Sequence, residues 1–300
     1  MWTVSAFTDE ASTDIDGQIK AAHEGKLKTI DLRNLDGFNI SALPLDHAKK
    51  VKQKLDAAGL SVGMFGSPIG KIDITEDFGI DATKLEHLSK LADVFDCRKV
   101  RIFSYFNSKD NPDAATPMYV WAAEALRRLG ALKELAIEYN LCLYHENEHI
   151  IFGDKVWQNE CIARCLRDPG EPGSEGAGIH FRCIFDFDNY NQVGEDVWAA
   201  WQRLHLYADA FHMKDSTKEC SHVPIGTGNG RAKDILADAL KRGWHGHLAN
   251  EPHLSRSPAI MATGPGGVAD QKLADLSEFD AFLLGVRSGH EMLKAISAPV

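Results

Sequence analysis

The fold is decided by one stretch of this chain, LCLYHENEHIIFGDKVWQNECIARCLRDPGEPGSEGAGIHFRCIFD, which spans residues 141–186. It opens with an apolar segment at 141–146, passes through a helical segment and a Gly/Pro-rich region, and closes with a second apolar segment at 181–186. Both apolar segments have the length and composition of β-strands, and both end in a carboxylate. A strand, a helix and another strand in this order predict a βα unit with parallel strands.

The same alternation of strand and helix runs through the whole chain. Eight strand candidates are present, at 3–8, 28–33, 61–66, 99–105, 141–146, 181–186, 208–213 and 247–251. Their ends fall about 35 residues apart, a length typical of one βα unit in a barrel. No GxGxxG turn follows the first strand, which disfavours an open dinucleotide-binding sheet. The sequence therefore predicts the α/β class and a single-domain (β/α)8 TIM barrel over residues 1–300.

Three irregular regions are predicted to be loops. The segment DPGEPGSEGAG at 168–178 precedes the sixth strand, so we expect a surface loop on the side away from the chemistry. Residues 255–268 follow the eighth strand on the active-site side and could act as a flap. The run GTGNG at 226–230 lacks a P-loop lysine and is predicted to be a flexible loop, although a phosphorylated substrate is left open.

Composition and charge disfavour some classes of binding partner. The chain has 33 Lys and Arg against 43 Asp and Glu, a formal net charge of −10, which disfavours nucleic acid and anionic membranes as partners. No apolar run reaches the ~18 residues of a membrane span. The N-terminal residues lack the features of a signal peptide, and the six cysteines include no CxxC pair. We therefore expect reduced thiols and a cytoplasmic protein.

Three carboxylates and one imidazole stand at the ends of four consecutive predicted strands, as Glu146, Asp186, His212 and Glu251. In a barrel the carboxyl ends of the strands meet at one face, so these side chains are predicted to converge. Three adjacent carboxylates repel one another unless protons or a cation neutralise them. We therefore predict one divalent metal ion held by these four residues.

The ligand types bear on the identity of that ion. Three carboxylates and one histidine form a hard, oxygen-rich set, which favours Mn2+, Mg2+ or Co2+ in an open site and is also compatible with Zn2+. Taken singly, each residue would more often be a helix cap, a partner of an arginine or a packed core histidine. Side chains alternate between the two faces of a strand, so Glu146 and Glu148 are predicted to lie on the same face. Which of the two is the metal ligand depends on where the strand ends.

Further polar residues near the strand ends are candidates for contacts with substrate hydroxyls. They are Arg33, Lys71, Ser104, His145, Asn189, Lys214 and His253. For Arg33 and Lys71, a structural salt bridge is an equally good interpretation.

At these positions the sequence resembles the sugar phosphate isomerase/epimerase superfamily, which has the xylose-isomerase-like TIM barrel. The resemblance covers nearly the whole chain and rests on the motifs FTDE (7–10), DLR (31–33), SPIGK (67–71), RIFS (101–104), HENE (145–148), FDFDN (185–189), HMKD (212–215) and NEPH (250–253). It implies the same four metal ligands, with Glu146 and Glu251 also moving protons on opposite faces of the substrate. Asn189 stands where the 3-epimerase branch has a histidine, and that branch's arginine beyond His212 has no counterpart, so the substrate orientation is expected to differ.

The resemblance implies an isomerase or epimerase acting on a ketose, an inosose or a related keto-sugar. A carboxylate would remove a proton next to the carbonyl, the metal would stabilise the enediolate, and a second acid would return the proton. A dehydratase or lyase acting on a keto-sugar or keto-glycoside would use the same site. A non-catalytic metabolite-binding barrel is the alternative from another class.

An apurinic endonuclease shares the barrel but is disfavoured. The ends of strands two to four provide Arg33, Ser67 and Ser104 rather than the histidines of a trinuclear zinc site. The predicted partner is a small-molecule carbohydrate, and a homo-oligomer is left open.

Overall fold

The computed structural model describes residues 2–109, 111–261, 269–273 and 275–300. Eight strands form one sheet: β1 (Thr3–Ala6), β2 (Thr29–Leu32), β3 (Ser61–Phe65), β4 (Lys99–Ile102), β5 (Cys142–Glu146), β6 (Phe181–Asp186), β7 (Ala210–Met213) and β8 (His247–Asn250). Neighbouring strands pair in parallel in the order β1-β8-β7-β6-β5-β4-β3-β2. A parallel bridge between Phe7 and Asp31 joins the two ends of this order. The predicted (β/α)8 barrel is therefore confirmed.

Helices cover the outside of the barrel. Those within the described residues are α1 (Ile15–Glu24), α2 (Leu45–Ala57), α3 (Gly79–Phe95), α4 (Met118–Glu138), α5 (Val156–Leu166), α6 (Phe187–Gln192), α7 (Val197–Leu204), α8 (Ala232–Lys241), α9 (Pro258–Met261) and α10 (Glu278–Ala295). Asp14, Asp196 and Ser277 begin α1, α7 and α10, because each side chain accepts a backbone N–H of the first turn. A short hairpin, Asn34–Leu35 with Phe38–Asn39, follows β2 and was not predicted.

The core lies between the sheet and the helices. The faces predicted from helical spacing are the ones that pack inward: Leu85, Leu88, Ala92 and Phe95 of α3 are buried, as are Phe282, Leu283 and Val286 of α10. A second apolar cluster lies around Phe211, whose ring stacks on Phe187 at a centroid distance of 5.3 Å. These contacts fix the strands whose ends carry the polar residues.

Most predicted strand ends agree with the structure within a few residues. The clearest difference is in β4, which ends at Ile102 rather than at Tyr105. Tyr105 has a φ of 73°, in the left-handed region, so the chain has left the extended conformation there. The loop at 168–178 joins α5 to β6, as predicted, while residues 262–268 of the predicted flap lie outside the described residues. No helix in the described part of the chain is long and apolar enough to cross a membrane.

Candidate metal centre

The four predicted metal ligands lie together at the C-terminal end of the barrel. Glu146 and Asp186 are the last residues of β5 and β6, His212 lies in β7, and Glu251 follows β8 directly. All four side chains are buried, and one potential ligand atom from each lies within 4.8 Å of the others. The predicted convergence is therefore observed, and these four residues are called the ligand cluster below.

Hydrogen bonds satisfy only part of the ligand cluster. Nδ1 of His212 lies 2.7 Å from Oε1 of Glu146 and 3.4 Å from Oε2 of Glu251. Oδ1 of Asp186 accepts the N–H of Asn189 and caps α6. Nε2 of His212 is buried without a hydrogen-bond partner in the described residues. Oε2 of Glu146 and Oδ2 of Asp186 also lack a hydrogen bond there and have only ion pairs, with Arg101 and Lys214. Buried polar atoms normally have such partners, so these atoms indicate a group that the cluster is built to hold.

The pKa values of the ligand cluster also indicate that it is built to hold a cation. Burial raises the pKa of Asp186 well above its usual value, although Lys214 opposes the shift. Burial alone would lower the pKa of His212, but the carboxylates of Glu146 and Glu251 outweigh it and raise that pKa to about 9. Without a metal, protons on Asp186 and His212 therefore relieve the repulsion between the acids. A divalent cation would displace those protons and balance the same charges.

The donor set fits such a cation. Three carboxylates and one imidazole are ligands that Mn2+, Mg2+, Co2+ and Zn2+ all accept, and they are held by four adjacent strands. These strands are fixed by the barrel, so the cluster is preorganised rather than assembled by loops. The buried group could hold a metal ion, and the identity of the ion stays a prediction.

Three cationic side chains surround the ligand cluster. Nζ of Lys214 lies 3.2 Å from Oδ2 of Asp186 and 3.7 Å from Oε2 of Glu251. Nη1 of Arg33 lies 2.5 Å from Oε1 of Glu251, while the rest of its guanidinium is bound to both carboxylate oxygens of Asp9. Nη1 of Arg101 lies 3.3 Å from Oε2 of Glu146. These charges favour the ionised glutamates against the cost of burial.

The two glutamates are ionised for this reason. Burial opposes the charge on Glu251, but Lys214 and the hydrogen bonds from His212 and His253 outweigh it and hold the pKa of Glu251 well below its usual value. In the same way, His212 and Arg101 outweigh the burial of Glu146 and lower its pKa. Both carboxylates are therefore able to accept a proton at neutral pH.

Three of the predicted substrate-binding residues are close to the ligand cluster. Arg33 and Lys214 contact it as described, and Nε2 of His253 lies 3.5 Å from Oε1 of Glu251. His253 also donates its backbone N–H to Oε2 of Glu10 at 2.9 Å. Their contact with a substrate stays a prediction.

The other predicted substrate-binding residues lie in two further groups. Lys71 binds Glu148 at 3.0 Å and lies over the ring of Phe103. His145 and Ser104 bind each other, with Nε2 of His145 at 3.0 Å from Oγ of Ser104. Burial lowers the pKa of His145 to about 3, so this imidazole is neutral.

Asn189 helps to hold the ligand cluster in place through hydrogen bonds. Its Nδ2 donates to the backbone carbonyl of Asn147, and the Asn147 side chain in turn bonds the backbone N–H and C=O of Asp186. This network connects the ends of β5 and β6 and fixes Asp186 relative to Glu146. Contact of Asn189 with a substrate stays a prediction.

Several residues at the site were missed as candidates. Glu10 and Arg101 lie within the motifs FTDE and RIFS, but only strand-end residues with polar side chains were considered. Arg101 lies inside β4, and its long side chain reaches the cluster between the rings of Phe7 and Phe103. Alternation along β4 could have identified it, because residues 101 and 103 share a face.

A second acidic group shares Glu251 with the ligand cluster. Glu10, Glu251 and His253 also bring potential ligand atoms within 4.8 Å of one another. Arg33 already lies among them, with Nη2 at 3.6 Å from Oε1 of Glu10. Burial raises the pKa of Glu10 to about 8, despite the opposing charge of Arg33. Glu10 is therefore a neutral acid at neutral pH.

The glycine-rich run after β7 is bound to the protein itself. The backbone N–H groups of Gly226, Gly228 and Gly230 donate to the carboxylate of Asp215 at 2.8–2.9 Å. The side chain of Asp215 thus occupies the N–H donors that a phosphate group would use. This agrees with the prediction that the run is no P-loop.

Comparison with known proteins establishes the fold. No family model and no curated protein matches the chain. The solved structure of the IOLI protein with a bound zinc atom aligns with a TM-score of 0.72 and 10% identity over 98% of both chains. The 3-keto-D-glucoside 4-epimerase YcjR from E. coli aligns with a TM-score of 0.65 and 12% identity, over 98% of this chain and 100% of its own.

A further structure with this fold is the probable 3-DHS dehydratase AsbF from Bacillus anthracis. It aligns with a TM-score of 0.67 and 16% identity, over 97% of this chain and 99% of its own. At such identities the likeness extends to the fold alone. The chain has the fold of the xylose-isomerase-like TIM barrels, and the predicted resemblance is confirmed at that level.

Proposed function

We propose that this chain is a divalent-metal-dependent isomerase or epimerase that acts on a ketose, an inosose or a related keto-sugar. The observation that carries the proposal is the buried ligand cluster, in which three carboxylates and one imidazole converge beside cationic side chains. Its position at the carboxyl ends of the strands is that of TIM-barrel active sites. Solved structures with the same fold include an epimerase acting on a keto-glucoside, which supports the substrate class.

Glu146, Asp186, His212 and Glu251 would hold one ion, with Mn2+, Mg2+ or Co2+ favoured and Zn2+ also compatible. When bound, the ion supplies positive charge that stabilises the oxygen next to the carbon losing a proton. Zinc bound to the IOLI protein, which has the same fold, supports metal binding in general.

The proton transfers are assigned to Glu146 and Glu251. Both are ionised at neutral pH, so one can remove the proton next to the substrate carbonyl, and the other, once protonated, can return one. Lys214 lies within 3.7 Å of Glu251 and would stabilise the enediolate by its charge. Return of the proton to the same carbon epimerises the sugar, and return to the neighbouring carbon isomerises it.

A dehydratase or lyase is the second candidate. Expulsion of a hydroxyl needs an acid that is protonated at neutral pH, and Glu10, with a pKa of about 8, is such an acid beside Glu251. The fold shared with a probable dehydratase supports this alternative.

Two other functions have less support. A binding-only barrel would need no ionised carboxylates beside a buried cationic group. For an apurinic endonuclease, the acidic net charge is unfavourable, and in the described residues the potential metal groups draw no ligand from β2, β3 or β4. We also propose that the protein is cytoplasmic, that its partner is a small-molecule carbohydrate and that it binds neither nucleic acid nor a membrane. Whether it forms a homo-oligomer is left open.

Solvent exchange tests the proposed chemistry. The protein is supplied in turn with Mn2+, Mg2+, Co2+ and Zn2+ and screened against ketoses, inososes and keto-glycosides in D2O. We expect deuterium at the carbon next to the carbonyl in recovered substrate or product, measured by NMR. Product without deuterium in every reaction would contradict proton abstraction by a solvent-exchanging base. Metal analysis of protein purified without chelator separates the enzyme from a metal-free binding barrel.

A further inference from the structure

A cavity of about 620 Å³ opens at the N-terminal end of the barrel, opposite the ligand cluster. Its wall includes the first residues of six strands, namely Thr3, Thr29, Ser61, Lys99, Cys142 and His247. TIM barrels normally fill these layers with bulky branched side chains. Here the first residues of the strands carry hydroxyl groups, an ammonium group, a thiol and an imidazole, and they surround the cavity together with apolar residues such as Val62 and Leu141.

One residue of the wall, His247, belongs to a buried polar network with Ser5 and Asp31, which is called the inner cluster below. Oγ of Ser5 donates to Oδ2 of Asp31 at 2.7 Å, and Nε2 of His247 lies 2.9 Å from the same oxygen. Nδ1 of His247 is buried without a hydrogen-bond partner in the described residues. His247 is 1% exposed and lines the cavity, so it is a polar group that a ligand could satisfy.

Gly63 in the middle of β3 keeps this wall open. A Cβ at this position would lie 2.5 Å from Cε1 of His247 and 2.7 Å from Oδ1 of Asp31. Either distance is far below van der Waals contact. A side chain here would therefore displace the imidazole or fill the cavity beside it.

The charges at the cavity decide the class of ligand. At its mouth, Nζ of Lys99 is paired with Oε1 of Glu175 at 2.6 Å. Ser61 at the mouth and Thr29 and Tyr144 along the wall offer hydroxyls, and burial raises the pKa of Cys142 to about 12, so its thiol is uncharged. The wall also includes Arg98, which is paired with Asp93 at 2.6 Å, and the exposed carboxylate of Asp96. An anionic ligand would therefore meet no unpaired cation in Lys99 or Arg98. An apolar ligand would displace water from the hydroxyl groups without replacing the hydrogen bonds that the water makes.

We propose that this cavity is a second binding site, which takes an uncharged, hydroxyl-rich small molecule such as a polyol. The volume lies in the range of small-molecule sites, about 300–1,000 Å³. The site is independent of the ligand cluster and of the reaction proposed there, because none of its wall residues belongs to that cluster.

Cys142 provides a local test, because it lines the cavity while Cys165 is exposed on α5. The full-length protein is treated with methyl methanethiosulfonate, and modification of each thiol is followed by mass spectrometry with xylitol, myo-inositol or citrate present. We expect a polyol at ten times its dissociation constant to slow modification of Cys142 about tenfold, without an effect on Cys165. Citrate should not protect Cys142.

A matched pair of variants locates the binding. Ser61 is exposed at the mouth of the cavity, and Thr83 is exposed on α3. We expect Ser61→Phe to raise the dissociation constant of the protecting polyol at least about tenfold by calorimetry, and Thr83→Phe to leave it unchanged. Circular dichroism checks that both variants fold, and Ser61→Thr replaces Ser61→Phe if the latter does not, with a smaller rise expected. Equal reactivity of Cys142 with and without both polyols, or protection by citrate as strong as by a polyol, would overturn the proposal.

Discussion

The barrel contains two buried clusters in which carboxylates meet an imidazole, and they differ in how many carboxylates share that imidazole. Both clusters leave polar atoms without a hydrogen-bond partner in the described residues, including Oδ1 of Asp31 and Nδ1 of His247 in the inner cluster. In the inner cluster, one carboxylate receives the hydroxyl of Ser5 and the imidazole of His247 on a single oxygen, Oδ2 of Asp31. In the ligand cluster, one imidazole meets three carboxylates, and Oε2 of Glu146 and Oδ2 of Asp186 have no hydrogen-bond partner in the described residues. The number of carboxylates that share one imidazole, rather than the presence of a buried acid, thus distinguishes the candidate metal centre from the inner cluster.

The largest expected difference between the clusters is in turnover. Glu251→Gln keeps the shape of the side chain and removes a proton-transfer group, so we expect kcat to fall about 10²–10⁴-fold. Asp31→Asn makes the same acid-to-amide change in the inner cluster and should leave kcat within a few-fold of the wild-type value. Steady-state kinetics on the substrate found by the screen, with circular dichroism as a check of folding, measures both. Equal losses of kcat in the two variants would remove the functional distinction between the clusters.

The second difference is in the response to a metal ion. Chelator-treated protein should gain about 2.7 kcal/mol in free energy of unfolding when Mn2+ is added at 100 times its Kd. His212→Ala removes one ligand and should abolish most of this gain, whereas Ser5→Ala should retain it. Thermal denaturation with and without Mn2+ measures the gain. An unchanged metal-induced rise in Tm for His212→Ala would place the ion elsewhere.

The third difference is in the stability of the metal-free protein. Asp31→Asn leaves Ser5 and His247 without the carboxylate they share, so we expect a loss of about 1–3 kcal/mol in free energy of unfolding. Burial raises the pKa of Asp186 well above its usual value, which favours the uncharged acid over the carboxylate, so Asp186→Asn should cost less than Asp31→Asn. Urea denaturation in the presence of chelator compares the two variants. A larger loss in Asp186→Asn than in Asp31→Asn would contradict the assigned protonation.

A fourth expected effect is a dependence of stability on pH. Glu10 has a folded pKa of about 8 against an ordinary value of 4.5, so the folded state binds more protons between these values. Its contribution therefore lowers the free energy of unfolding as the pH rises from 4.5 to 8. Glu10→Gln cannot titrate, and its stability should fall less over this window in metal-free protein. If the free energy of unfolding falls equally with pH in the wild-type protein and in Glu10→Gln, Glu10 is not the group responsible for the pH dependence.

Much of the architecture could be predicted because it depends on local patterns. Alternating apolar segments and helical spacing located all eight strands and the buried face of α10. The predicted end of β4 was wrong, because the strand ends at Ile102 and the chain is in the left-handed conformation by Tyr105, which the β-rich composition of the segment does not indicate. The hairpin after β2 was missed because its strands are only two residues long.

The candidate site was predictable only in part. Glu146, Asp186, His212 and Glu251 could be chosen because parallel strands present their carboxyl ends on one face. Arg101 was missed because only strand ends were considered, whereas its guanidinium reaches the site from within β4. The pairing of His145 with Ser104 likewise depends on the packing of β4 against β5.

The sequence by itself determined the barrel and the four residues at the ends of β5–β8, because strand alternation and strand order are local or topological properties. The tertiary structure alone decided the electrostatic state of the site. Arg101 of β4 and Lys214, which follows β7, approach the glutamates only after the barrel closes. Together with His212, their charges outweigh the burial that would otherwise neutralise Glu146 and Glu251. The hollow N-terminal end was decided in the same way, because small residues far apart in the chain leave a cavity only when closure places them in one ring.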